Sequence, residues 1–96
     1  MAVNTAQALA LVKTRLNRLQ SDTTLDEYLL ARIEAAQQEL NRMLRVDLDD
    51  GMDDLLLLVD YTVWSYQNRD QSGAVPQWLR LRMRQRFLRM EGGGSA

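Results

Sequence analysis

A chain of 96 residues, 46% of them apolar, has the size and composition of one globular domain with a modest core. It holds no cysteine and no histidine, which excludes disulfides, thiolate metal centres, cysteine nucleophiles and the commonest general base and metal ligand. The formal charge is −1, and eleven of the twelve basic residues are arginine, the cation suited to planar, bidentate pairing at interfaces.

An enzyme is not expected, because its proton transfers would fall to carboxylates, tyrosines or the single lysine, Lys13. No cofactor is expected. No apolar run approaches the roughly 20 residues that span a bilayer. The N-terminal stretch MAVNTAQALALVKTRL lacks a basic leader region and is interrupted by Lys13 and Arg15, so it reads as an amphipathic helix rather than a signal peptide. A protein kept in the cytosol, unless a larger assembly exports it, is the expectation.

The first helix is expected over Thr5–Leu19, with Leu9, Val12 and Leu16 at helical spacing and Asn4 or Thr5 as cap. After the linker Gln20–Thr23, Thr24 and Glu27 have the spacing of a capping box. The second helix then follows the stripe Leu25, Leu29, Ile33, Ala36, Leu40, Met43 and Leu44 to about Arg45. The stretch VDLDDGMDD, residues 46–54, places a turn at Gly51 and acids at the start of the next helix, where negative charge is favourable.

The third helix is expected over Met52–Gln67. It is apolar on most of its circumference, which marks a central helix, with Asp60 as the odd residue that should find an arginine or the helix rim. Residues 68–74 form a loop, and Pro76 suits the first position of a fourth helix reaching about Met90. EGGGSA, residues 91–96, has the composition of a flexible Gly/Ser tail. The fold class expected is all-α: a small bundle of about four helices in residues 1–90, around a central apolar third helix.

Two candidate sites dissolve on inspection. Aligning Gly51 with the glycine of a calcium loop puts Val46, Leu48 and Leu57 on ligand positions, so that reading fails. Asp49, Asp50, Asp53 and Asp54 could hold magnesium weakly, but a charged turn and helix cap explain them. Tyr61, Trp64, Tyr66, Trp78 and Phe87 read as a core aromatic cluster, with a stacking platform for single strands as the functional alternative.

The fourth helix carries the most information. WLRLRMRQRFLR, residues 78–89, alternates like a strand, but nothing else in the chain offers it a partner strand. At about 100° per residue, with Arg80 at zero, Leu79, Met83, Phe87 and Met90 fall at roughly 260–340°. Trp78, Leu81 and Leu88 fall at roughly 80–160°. Arg82, Arg86 and Arg89 separate these stripes on one side, and Arg80 and Arg84 on the other. A small domain covers one stripe, and an apolar stripe rimmed by arginine has the character of a protein interface.

Charge is segregated along the chain. Residues 22–60 carry eleven acids, and residues 71–90 carry five arginines and no acid. The interface expectation therefore joins Trp78, Leu81, Arg82, Arg86, Leu88 and Arg89 of one copy to Asp49, Asp50, Asp53 and Asp54 of another. Five arginines on one helix also suit phosphate contacts, but they point to two opposed sides of it. A small helical DNA-binding regulator of phage or plasmid origin is the alternative, and a plain helical interaction module is the third.

Taken in order, these elements resemble the small head–tail connector (adaptor, or head-completion) proteins of tailed phages and prophages. The shared features are the V-K-x-x-L element at Val12-Lys13-Thr14-Arg15-Leu16 and an aspartate, Asp22 or Asp26, opening a long helix. A buried helix ending in Tyr66-Gln67-Asn68-Arg69 follows, then a P-x-x-L helix at Pro76-Gln77-Trp78-Leu79. The resemblance covers residues 9–86.

It implies a subunit that forms a homo-oligomeric ring under the portal vertex, contacts the portal protein and a tail-side connector or stopper protein, and passes DNA through its centre as transiting cargo. It implies no catalytic residue and no membrane partner. The location implied is the virion head–tail junction, after assembly from the host cytoplasm. Asn68 and Arg69 match an element expected to fix the end of the third helix, with Asp60 and Pro76 as further structural positions. Longer relatives carry a C-terminal extension used in docking, where this chain has EGGGSA.

Overall fold

The computed structural model describes residues 3–70 and 73–93, with side chains as far as Leu88. The fold is an all-α bundle of four helices in chain order: α1 (Thr5–Arg15), α2 (Asp26–Leu44), α3 (Met52–Gln67) and α4 (Gln77–Gly93). The described residues contain no strand.

Helix α1 is shorter than its apolar spacing suggests. Its start follows expectation, with Asn4 Oδ1 accepting from the Gln7 amide at 3.0 Å. Its end comes at Arg15, because Asn17 enters the left-handed region at φ 59°. The amides of Asn17 and Arg18 then turn back to the carbonyls of Thr14 and Lys13 at 3.1 and 2.8 Å. This is a Schellman closure with asparagine where glycine is usual, and it leaves Leu19 74% exposed beyond the helix.

The capping box of α2 does not form. Asp22 takes the Thr24 amide at 3.0 Å, and the helix starts at Asp26 with no side-chain cap. The Thr24 hydroxyl and amide, then Arg18 and Lys13, hold the Asp22 carboxyl below its ordinary range. Leu29, Ile33, Ala36, Leu40 and Leu44 bury the inward stripe of α2, while Met43 falls off it and is exposed.

The helix closes with Arg45 at φ 56°, while the Val46 amide reaches the Asn41 carbonyl at 3.3 Å. A left-handed arginine costs roughly 1–2 kcal/mol, more than the added backbone freedom of glycine. Arg45→Gly is therefore expected to raise unfolding stability by about 0.5–1 kcal/mol. A thermal or urea melt checks this, and a loss of stability would show that the arginine side chain contributes more than its strain costs.

Helix α3 is central, as its composition requires, and packs against the other three helices. Leu55, Leu57, Leu58, Val59, Tyr61 and Val63 are buried along it. Thr62, fully buried, donates its hydroxyl to the Leu58 carbonyl at 2.7 Å. Ahead of α3, Leu48 is a buried anchor whose amide donates to Asn41 Oδ1 at 3.0 Å.

Pro76 lies one residue before the first helical position of α4 rather than on it. Its carbonyl accepts from the Leu79 and Arg80 amides at 3.1 and 2.9 Å. Helix α4 runs three residues past Met90, so Glu91–Gly93 are helical rather than part of a tail. Residues 94–96 of that expected tail lie outside the described residues. Leu79 and Met83 enter the core, and Phe87 packs at its edge.

Candidate partner interface

The periodicity of α4 separates its two apolar stripes in space. Leu79 and Met83 are buried, whereas Trp78, Leu81 and Leu88 are 50%, 51% and 49% exposed. The core aromatic cluster loses Trp78 accordingly. Tyr61 and Trp64 keep a ring contact at 5.8 Å, and Tyr28 meets Tyr66 edge-on at 6.1 Å.

The arginine rows have different fates. Arg86 is buried and grips Asp54, itself 1% exposed, through Nε at 2.7 Å and Nη2 at 3.1 Å. The second Asp54 oxygen also accepts from the Asp49 amide at 2.8 Å. The hydrogen bond from Arg86 to Asp54 holds the guanidinium more firmly protonated than usual, against the desolvation that opposes it. Arg82 pairs with Asp60, which also pairs with Arg15, so one carboxylate joins α1, α3 and α4.

Arg82, Arg86 and Asp54, expected to meet a neighbouring copy, are therefore engaged within the chain. The reason is the antiparallel packing of α4 on α3, which lines up 82 with 60 and 86 with 54. Arg80 and Arg84 remain exposed on the other side of α4, and the Arg89 side chain lies outside the described residues. Asp49, Asp50 and Asp53 are exposed at the start of α3, with Asp49 Oδ1 accepting from the Gly51 amide at 2.8 Å. Among the described residues, no group of three or more acids converges as metal ligands would.

Asn68 and Arg69 close α3. The Asn68 side-chain and backbone nitrogens donate to the Trp64 carbonyl at 2.8 and 3.0 Å. Arg69 donates to the Tyr66 carbonyl at 2.6 Å and lies 4.3 Å from the centre of the Tyr66 ring.

Lys13 has a role that its place in the sequence does not announce. It is 2% exposed, donates to the Gln20 carbonyl at 2.8 Å, and sits 3.0 Å from Asp26 Oδ1. The contact with Asp26 is an ion pair by distance without hydrogen-bond geometry. In the sequence its signals are adjacency to Val12 and its place in the V-K-x-x-L element. Tyr61 donates to Glu39, and burial followed by that carboxylate pushes the phenol pKa well above its ordinary value. Arg32 donates to Ser65 Oγ at 2.7 Å and to the Tyr28 hydroxyl at 3.1 Å, linking α2 to α3.

The geometry defines an all-α domain in which, among the described residues, four ion pairs join one helix to another, and whose last helix leaves an apolar face open. No family model matches the chain, and neither does any curated protein or solved structure. Among the described residues, no helix is long and apolar enough to cross a membrane.

Proposed function

We propose that this chain is a structural head–tail connector subunit of a tailed phage or prophage. It forms a ring beneath the portal, joins capsid to tail, and lets DNA pass. It acts without catalysis, cofactor or metal, with its own copies, the portal and a tail-side connector or stopper as partners.

The observation that carries this reading is the Trp78, Leu81 and Leu88 face, half-exposed on a helix whose other apolar stripe is already in the core. A small domain gains nothing from such a face in isolation, and an interface does. The order of the helices and the motifs along them support the connector family as the setting.

Sedimentation of the chain alone and mixed with portal tests the proposal. The expected result is assembly in at least one of the two conditions. A monomer at high concentration that also leaves portal unbound would remove it. The regulator alternative is weakened because Arg82 and Arg86 are already paired with Asp60 and Asp54. Accordingly, no salt-dependent mobility shift of short duplex DNA is expected at sub-micromolar protein. A clear shift at low salt would favour the regulator.

A further inference from the structure

We infer that the outward face of α4 docks onto the α2–α3 corner of a second copy of this chain, with Arg80 and Arg84 meeting Asp47 and Asp50. The inference rests on the reading that a neighbouring subunit covers this face, and it names the neighbour's surface.

Four observations converge on it. First, Arg82 and Arg86 are already paired inside the chain. Arg80 and Arg84 are exposed, lie roughly 120–160° around the helix from that pair, and make no ion pair among the described residues.

Second, those two arginines rim an open groove lined by Gln77, Leu81 and Met83. A partner that fills it must be apolar at its centre and acidic at its edge.

Third, the α2–α3 corner has that composition. Asp47 and Asp50 are exposed and without an ion pair among the described residues. Beside them Met52 and Leu56, one helical turn apart, are 58% and 40% exposed.

Fourth, the two surfaces do not meet within one molecule. Arg82 opposite Asp60 and Arg86 opposite Asp54 make α4 antiparallel to α3. Arg80 therefore lies roughly 9 Å along the axis from the level of Asp54 and points away from α3, while Asp47 and Asp50 precede α3 altogether.

Two complementary patches at different places on one subunit produce a head-to-tail contact. Such a contact repeats from copy to copy until it closes into a ring or extends as a filament. The apolar centre supplies affinity, and the charges set register and partner choice.

A charge-swap experiment on the full chain tests this. One variant carries Arg80→Glu and Arg84→Glu, the other Asp47→Arg and Asp50→Arg. All four positions are exposed, so both variants should keep wild-type helicity by circular dichroism. By sedimentation, each variant alone should self-associate at least about tenfold more weakly than wild type. An equimolar mixture should recover association, because every contact between unlike copies is again opposite in charge.

Weakening without rescue by mixing overturns the pairing, as does wild-type association by either variant. In both cases the covered-face reading survives if Leu81→Glu with Leu88→Glu still disperses the assembly. Wild type that stays monomeric at millimolar concentration overturns docking between copies, and portal binding then judges the connector reading separately.

Discussion

Asp54→Ala is expected to lower the unfolding free energy by about 3–5 kcal/mol, measured by urea denaturation. Asp54 is 1% exposed and Arg86 8% exposed, so the substitution strands a buried guanidinium. It also removes the acceptor of the Asp49 amide, which helps to start α3. A domain of this size has about 5–15 kcal/mol in all, so the loss is a large fraction of total stability.

The same physics predicts an opposite outcome for the pair. Asp54→Leu combined with Arg86→Met replaces two desolvated charges by apolar groups of similar reach. It is expected to be neutral or stabilising by about 1–4 kcal/mol. The pair would then specify how α4 sits on α3 more than it stabilises the fold. A single-variant loss below about 1 kcal/mol would show that water reaches Arg86 readily, and the buried-pair description would fail.

Leu81→Glu combined with Leu88→Glu is expected to leave a folded, helical monomer whose melting transition matches wild type. Both side chains are about half exposed, and substitutions at such positions typically change stability by less than about 0.5 kcal/mol. Association, with itself or with portal, should be lost, because two carboxylates would enter an apolar contact without partners.

Trp78→Ala is the milder companion. A buried tryptophan anchor commonly contributes about 2 kcal/mol or more to an interface, a loss of roughly thirtyfold in affinity. The internal control is Leu79→Ala, one residue away on the other stripe. Leu79 is fully buried, so truncation should cost about 2–5 kcal/mol of stability. If Leu81→Glu with Leu88→Glu unfolds the chain, that face belongs to the core and the interface reading falls.

Much of the fold is local and could be read in the sequence. The bounds of α3, Met52–Gln67, follow from a mostly apolar run between a glycine turn and a polar loop. The inward stripe of α2 follows from helical spacing. So does the division of α4 into two faces, because an angle around a helix depends only on residue number. The misreadings occur where two local signals competed. Thr24 and Glu27 have capping-box spacing, but Asp22 takes the Thr24 amide first. Leu16 and Leu19 continue an apolar rhythm, but Asn17 tolerates the left-handed conformation that ends α1.

The sequence by itself determined an all-α chain, an apolar third helix and a last helix with one stripe too many for its own core. Only the tertiary structure decided which arginines are engaged within the chain and which stay exposed. Arg86 and Asp54 are 32 residues apart, and Arg82 and Asp60 are 22 apart. No local rule joins them, because the register between two helices is set by how their apolar ridges pack, and that depends on the whole core. Lys13 illustrates the same limit. Its burial against Gln20 and Asp26 exists only because α1 closes at Asn17 and turns the linker back over it.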